Sequence, residues 1–187
     1  MAERKLENVF IVHGTDHASL KELRTLLEKV GINPIVLHEQ PNKGMTIIEK
    51  MEKYSDVSFA FIILTPDDIG TGKIEGMQII SRAVGKNNPT QEEVNKFISS
   101  NPQEAYKMTM TLGALNKDRA RQNVILEFGY FIGKLGRDNV CCLYKGNIEL
   151  PSDMSGVCYI HFETSIMEIR DSILQEIADE RMIQFYI

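Results

Sequence analysis

The sequence has no cluster of basic residues and no long apolar segment. Its 187 residues carry 21 Lys and Arg against 26 Asp and Glu, which gives a formal net charge of −5 at pH 7. Because affinity for nucleic acid comes largely from basic side chains that neutralise phosphates, nucleic acid is not an expected partner. No window approaches the roughly 18 apolar residues of a membrane span, and the N-terminus MAERKLENVF lacks the apolar stretch of a secretory signal. The sequence therefore predicts a soluble, cytoplasmic protein that does not engage a membrane.

Cysteine is also scarce. The chain has three cysteines, and two of them form the adjacent pair Cys141 and Cys142 within an apolar run. This arrangement gives neither CxxC spacing nor the even number of cysteines that a disulfide framework requires. The cysteines are therefore predicted to be reduced core residues, and a redox function is not expected.

The two common phosphate-binding loop motifs are missing as well. The segment GTGK (70–73) ends like a P-loop, but that motif requires a glycine where Asp67 stands and a serine or threonine where Ile74 stands. No G-x-G-x-x-G follows the first predicted strand, so a Rossmann-type dinucleotide site is not expected. Asp67 and Asp68 lie roughly where receiver domains carry their phosphoacceptor, but the first strand lacks the acidic pair that would hold magnesium.

Histidine gives only a weak indication of a metal site. His13 and His17 have the spacing H-x-x-x-H, which suits a metal when both residues lie on one helix, whereas His13 ends a predicted strand. His38 and His161 are isolated at strand ends and are interpreted as satisfied rim or core histidines. The sequence therefore predicts no metal site.

What the sequence does contain is a regular alternation of apolar strands with helices of 3.6-residue periodicity. The predicted strands are ENVFIVHG (7–14), PIVLHE (34–39), SFAFIILT (58–65), NVCCLYK (139–145) and VCYIHF (157–162). The predicted helices are SLKELRTLLEKVG (19–31), with Gly31 as its stop, a short one capped by Thr46 and Glu49, the run 119–136, and one from about Ser165 to Met182. Five strands interleaved with helices indicate an α/β fold with a doubly wound, flavodoxin-like parallel sheet.

The alternation lapses from Gly70 to Asp118. Thr90 and Glu93 form a capping box at the start of TQEEVNKFISS, and QEAYKMTMTLGAL has helical character after the break at Asn101. A structureless loop of this length would be improbable in a compact domain. We therefore expect one domain over residues 1–187, with a helical insertion at 70–118 after the third strand.

In doubly wound sheets, ligands bind beyond the carboxyl ends of the strands, where the strand order reverses. This rule points to the loops HGTDH (13–17), HEQPNKG (38–44) and TPDDIGTGK (65–73). The first loop has a simpler interpretation as a helix start capped by Thr15 or Asp16. In the second loop, Glu39 either contacts a substrate or caps a solvated turn.

Glu127 is a carboxylate in the middle of an otherwise apolar helical run. A helical wheel predicts one face of Ile125, Phe128, Gly129 and Ile132, and a second face of Asn123, Glu127, Tyr130, Phe131 and Lys134. A carboxylate in partly apolar surroundings tends to have a raised pKa, which suits polar bond-breaking chemistry. The alternative is a structural glutamate that accepts a hydrogen bond from Tyr130 or Asn123.

Several segments occur in an order that resembles a known family. They are NVFIVHG, VLHEQPNKGMTIIEK, SFAFIILTPDD, RARQNVILEFGYFIGKLGR and ELPSDMSGVCYIHF. Together they resemble the bacterial TIR-like domains, which are nucleotide-binding relatives of Toll/interleukin-1 receptor domains found in antiphage defence effectors. The resemblance implies an NAD glycohydrolase that releases nicotinamide and linear or cyclic ADP-ribose, with NAD as the substrate and no separate cofactor.

The resemblance also implies roles for individual residues. Glu127 matches the catalytic glutamate of the family, and the loop of His13, Gly14, Thr15 and Asp16 would line the nucleotide pocket. The loop from Glu39 to Gly44 matches the loop that packs against a neighbouring subunit in this family, and its Glu39 and Lys43 are candidate substrate contacts. Further candidate contacts are Arg121, Asn123 and Tyr130.

Two features depart from the animal TIR pattern: no Trp-Cys pair precedes Glu127, and the insertion separates the third strand from the catalytic helix. Effectors of this family usually carry a sensing domain. Because the TIR-like part fills almost the whole chain, sensing is expected to fall to a partner sensor protein, to the insertion, or to self-association into a homo-oligomer.

Two alternative functions stay open at this point. Nucleoside deoxyribosyltransferases are small α/β enzymes with a glutamate nucleophile in an E-x-G-x-x-x-G-K setting, which Glu127 to Lys134 superficially fits. The second alternative is a non-catalytic TIR-like module that binds a nucleotide or a partner, in which Glu127 has only a structural role.

Overall fold

The computed structural model describes residues 8–41, 43–70, 72–152 and 156–179. The described residues form two compact units, one from residues 8–67 and 119–179 and the other from residues 68–118. In chain order the elements are β1 (Asn8–His13), α1 (His17–Lys29), β2 (Asn33–Val36), α2 (Ile47–Tyr54), β3 (Phe59–Leu64), β4 (Asp68–Gly70), α3 (Lys73–Val84), α4 (Gln91–Ser100), α5 (Pro102–Ala114), β5 (Lys117–Arg119), α6 (Gln122–Leu135), β6 (Val140–Lys145), β7 (Cys158–Phe162) and α7 (Arg170–Asp179).

The first unit is built on a five-stranded sheet with the order β2-β1-β3-β6-β7. Every neighbouring pair of strands in it is parallel. This confirms the predicted doubly wound α/β fold. The chain moves outward from β1 to β2 and then crosses back to β3, so the strand order reverses at β1, and a ligand crevice is expected beyond the carboxyl ends of β1 and its neighbours.

Both faces of the sheet are covered, which explains why its central strands are continuously apolar. All six residues of β3 are buried. In β1, Val9 and Ile11 pack with the leucines of α1 and with α7, whereas Phe10 and Val12 pack with α6 on the opposite face. Cys141 and Cys142 in β6 are fully buried free thiols, as predicted, whereas Cys158 in β7, also predicted as a core residue, is a free thiol that is only half-buried.

Short-range capping signals in the sequence are confirmed. Asp16 caps α1 by accepting a hydrogen bond from the backbone N–H of Ser19, and Thr46 and Glu49 form the capping box of α2. In the second unit, Thr90 and Glu93 form the capping box of α4.

The ends of two predicted elements differ from the structure. The predicted strand 34–39 stops at Val36, because β2 is an edge strand whose pairing with β1 ends at Ile11, and Leu37–Glu39 form a 3₁₀ turn. The predicted C-terminal helix starts with a 3₁₀ turn, Ile166–Ile169, because the Glu168 carboxylate accepts hydrogen bonds from the preceding backbone. Residues 180–182, the predicted end of this helix, lie outside the described part of the chain.

The second unit is mainly helical. Its helices α3, α4 and α5 pack on one another, and the short strands β4 and β5 form a two-stranded sheet. These strands carry no alternating apolar pattern, so the sequence did not indicate them. Within the described ranges of both units, no helix has the length and apolar character needed to cross a bilayer.

Candidate active site

A cavity of about 700 Å³ opens in the first unit beyond the carboxyl ends of β1 and β2. Its size lies within the usual range for small-molecule sites. It is lined by Ile11, His13, Gly14, Thr15, His17, Val36, Leu37, His38, Gln40, Ile47, Lys50, Arg121 and Glu127. The cavity therefore lies at the carboxyl edge of the sheet, on the β2 side of the strand-order reversal between β1 and β3.

Glu127 is held at the cavity by the packing of α6 on the sheet. The buried stripe of α6 consists of Val124, Phe128 and Phe131, and the Phe131 ring lies 4.5 Å from that of Phe10. This corrects the helical wheel, which placed Phe131 beside Glu127 and put the solvent-exposed Gly129 on the apolar face. Glu127 lies at the edge of this buried stripe and is half-buried. The packing of α6 therefore fixes its backbone, while its carboxylate reaches the cavity.

The carboxyl group of Glu127 has an unusual electrostatic environment. Burial raises its pKa from 4.5 to about 7, and no other cause contributes. Across the described ranges, no group donates a hydrogen bond to this carboxylate. The group is thus close to half-ionised at neutral pH and has its full hydrogen-bonding capacity available for a ligand.

Neither proposed structural partner of Glu127 contacts it. The Tyr130 hydroxyl lies 3.0 Å from the Ser55 hydroxyl, and the Lys134 ammonium donates a 2.6 Å hydrogen bond to the same oxygen. Asn123 is exposed at the start of α6. Tyr130 and Asn123, both predicted substrate contacts, do not line the cavity.

The residues of the loop between β1 and α1 have two roles: some line the cavity, and Asp16 holds the local structure. His13, Gly14 and Thr15 line the cavity. Asp16 points elsewhere: its carboxylate accepts hydrogen bonds from Ser19 and from the Lys145 ammonium at 2.7 Å. Burial favours a higher pKa for Asp16, but the hydrogen bonds from Lys145 and Ser19 outweigh it and hold the pKa at about 2.

Asp67 anchors this loop from the end of β3. Its carboxylate accepts hydrogen bonds from the backbone N–H of Thr15 at 3.3 Å, from the Thr15 hydroxyl, and from the Thr65 hydroxyl at 3.0 Å. A Cβ on Gly14 would lie 1.7 Å from the Asp67 carboxylate, so this close approach requires glycine. The sequence indicated Asp67 only as a poor phosphoacceptor candidate and missed this role.

We expect Gly14→Ala to lower the free energy of unfolding by about 1–3 kcal/mol, because Asp67 must move away from Thr15 and lose these hydrogen bonds. Urea unfolding measures the change. Gly133→Ala on α6 is the matched control, because a Cβ there meets nothing within 4 Å, and its midpoint should stay the same or rise slightly. Equal midpoints for Gly14→Ala and the wild type would contradict the Asp67 anchor.

The loop between β2 and α2 contributes different residues from those predicted. The Glu39 carboxylate pairs with the Arg24 guanidinium, and Lys43 is exposed with a φ of 43°; neither lines the cavity. His38 and Gln40 line it instead. Arg121, a predicted contact that immediately precedes α6, does line the cavity.

Lys50 of α2 is a cavity residue that the sequence did not indicate. Only 7% of the residue is exposed, and within the described ranges its ammonium forms no ion pair or hydrogen bond. Lysine is rarely buried without a partner. Lys50 shares the buried side of α2 with Met51, and no local signal in the sequence indicates which side of this helix is buried.

Three histidines lie close together in the lining of the cavity. His13 Nε2 lies 3.0 Å from His38 Nδ1, and the His17 ring centre lies 5.6 Å from that of His13 and 6.2 Å from that of His38. Burial and then the neighbouring His38 lower the pKa of His13. The expectation that His38 is isolated is wrong: the ends of adjacent parallel strands meet at one edge of the sheet, and the 3₁₀ turn after β2 brings His38 to His13. Among the described residues, no cluster of His, Cys, Asp and Glu has a metal-binding arrangement.

Comparison with known proteins agrees with this architecture. The family model described as "CAP12/Pycsar effector protein, TIR domain" matches residues 8–164. The chain is 37% identical to the Escherichia coli (strain K12) protein YuaY over 156 residues, which is 83% of this chain but only 40% of that protein. It is 34% identical to protein tirC of Dictyostelium discoideum over 172 residues, or 88% of this chain and 69% of tirC.

A shorter segment of 49 residues, 26% of this chain, is 39% identical to CD-NTase-associated protein 12 of Flavobacterium daejeonense and covers 16% of that protein. The chain thus spans less than half the length of the Escherichia coli relative and a small part of the Flavobacterium one. Because the family match extends over most of its length, the chain belongs to the TIR-domain family of CAP12/Pycsar effector proteins.

Proposed function

We propose that the chain is an NAD glycohydrolase that cleaves the bond between nicotinamide and ribose and yields ADP-ribose in linear or cyclic form. The observation that carries this proposal is the carboxylate of Glu127, which is half-buried at a cavity and accepts no hydrogen bond from the described residues. A structural glutamate would be expected to use its carboxylate oxygens in hydrogen bonds.

The proposed reaction suits a single carboxylate. As the bond breaks, its electron pair goes to the nicotinamide nitrogen, so nicotinamide leaves as a neutral molecule and no general acid is required. Positive charge then develops on the ribose, as in other glycosidic cleavages. An ionised Glu127 in a partly dehydrated cavity stabilises that charge more strongly than a solvated carboxylate would, and the ribose is finally captured by water or by the adenine of the same molecule.

The family provides the biological setting of the proposal. The family of CAP12/Pycsar effector TIR domains, together with the local similarity to CD-NTase-associated protein 12, supports a role in bacterial antiphage defence or signalling. We propose that assembly with further copies or with a partner sensor activates the chain.

The test is to incubate the purified protein with NAD and, separately, with deoxynucleosides, and to identify the products chromatographically. The experiment is run both dilute and at high protein concentration with a crowding agent, so that an assembled state is sampled. Nicotinamide and ADP-ribose from NAD, with no free base from deoxynucleosides, is the expected result. Free base release would favour a deoxyribosyltransferase, and binding of NAD without turnover in every state would favour a non-catalytic module.

A further inference from the structure

The cavity that holds Glu127 is also lined by an unusual number of nitrogen-bearing side chains. His13, His17 and His38 form a cluster in the cavity lining. Lys50 of α2 and Arg121, which immediately precedes α6, also line the cavity. Lys50 has no ion-pair partner among the described residues, although it is buried. Such a set of donors is suited to a ligand group with several negative charges.

The histidine cluster cannot be fully charged in the empty cavity. The 3.0 Å contact between His13 Nε2 and His38 Nδ1 accommodates one proton, because two N–H groups would otherwise point at each other. Burial and the neighbouring His38 also lower the pKa of His13. The contact between His13 and His38 therefore has room for a second proton only if the two rings separate, as they can when both turn their N–H groups toward a bound anion.

The carboxylates near the histidine cluster are not available to take the place of a bound anion. Glu39 lies 3.9 Å from His38 Nε2, but its carboxylate is already paired with Arg24. On the α2 and α6 sides, the charged residues of the cavity are Lys50, Arg121 and Glu127. Two of these three carry positive charge, so the cavity outside Glu127 has more cationic than anionic groups.

We propose that the His13, His17 and His38 cluster, together with Lys50, forms the subsite for the diphosphate of a dinucleotide, and that the cluster takes up a proton when the diphosphate binds. The inference rests on the proposed function, because it identifies the diphosphate as that of NAD. The inference also predicts discrimination between ligands. A ligand that lacks the diphosphate leaves the subsite empty, and the histidine cluster then takes up no proton.

The test measures binding without turnover. Isothermal titration of the Glu127→Gln variant with ADP-ribose, in two buffers of different ionisation enthalpy, gives the number of protons bound per ligand. The diphosphate of ADP-ribose does not itself titrate near neutral pH. We expect uptake of roughly 0.5–1 proton at pH 7, and affinity about tenfold tighter at pH 6 than at pH 8. Nicotinamide riboside should show no proton uptake.

Variants locate the effect. His38→Asn should weaken ADP-ribose binding about tenfold and abolish the proton uptake, whereas Lys50→Met should weaken binding and leave the uptake in place. The matched controls are His161→Asn and Lys53→Met, and both should bind like the parent. His161 lies in β7, where its ring contacts the Gly146 carbonyl oxygen, and Lys53 is exposed on α2. Unchanged melting temperatures verify that the variants are folded.

Three results would overturn the proposal: no binding of ADP-ribose at millimolar concentration, binding without proton uptake, or uptake that persists in His38→Asn. None of these readouts uses hydrolysis. If proton-linked binding is observed and wild-type protein never releases nicotinamide, the proposed function fails while the subsite stands. If nicotinamide is released and binding is not proton-linked, the subsite fails alone.

Discussion

Replacing Glu127 by glutamine is expected to lower the rate of nicotinamide release from NAD by roughly a thousandfold or more. Glutamine keeps the size and shape of the side chain but removes the negative charge that stabilises the ribose cation. Because no described residue bonds the carboxylate, the substitution breaks no hydrogen bond and leaves α6 in place. The rate is followed by chromatography of nicotinamide at high protein concentration.

Glu52→Gln is the matched control for this experiment. Glu52 is an exposed carboxylate on α2 and does not line the cavity, so its loss should leave the rate unchanged. Glu127→Gln with wild-type activity would show that the carboxylate does not act in the reaction.

The same substitution is expected to stabilise the folded protein at alkaline pH. The pKa of Glu127 is about 7 in the folded chain against 4.5 as the ordinary value. Between these two values the unfolded chain loses the proton first, so the wild type loses stability as the pH rises from 4.5 to 7 and stays less stable above 7. Glu127→Gln carries no such charge and should therefore be more stable than the wild type by about 2–3 kcal/mol at pH 8, but not at pH 4.

Urea unfolding of both proteins at pH 4, 6 and 8 measures this difference. Glu52→Gln again serves as the control, because an exposed carboxylate has little effect on stability. A loss of stability in Glu127→Gln at pH 8 would indicate a structural carboxylate and contradict the geometry described above. Lost activity combined with gained stability is what distinguishes a catalytic group from a structural one.

The features of the fold that depend on neighbouring residues were predictable from the sequence. The apolar strands and the periodic helices specify a doubly wound sheet, and the capping residues Asp16, Thr46 and Thr90 act within three residues of the helix starts they fix. Glu127 stood out because a carboxylate interrupts an apolar helical run.

The features that depend on distant residues were not predictable. Asp67 bonds Thr15 across 52 positions of the chain, and His13 meets His38 across 25. The burial of Lys50 depends on how α2 docks, and the place where β2 ends depends on its pairing with β1. The same reason explains why Glu39, Tyr130 and Asn123 do not line the cavity as predicted. Each lies in the right segment, but the direction of its side chain is set by packing and by ion pairs such as that of Glu39 with Arg24.

The most direct test of the central role of Glu127 is the rate of nicotinamide release at saturating NAD between pH 5.5 and 8.5, measured for the wild type and for Glu127→Gln. Because Glu127 acts only when it is ionised, the wild-type rate should rise with pH through the pKa of its carboxyl group in the NAD complex and then level off. The Glu127→Gln rate should be far lower and should not rise with pH. Equal rates, or the same pH profile in both proteins, would contradict the assignment of Glu127 as the group that drives cleavage.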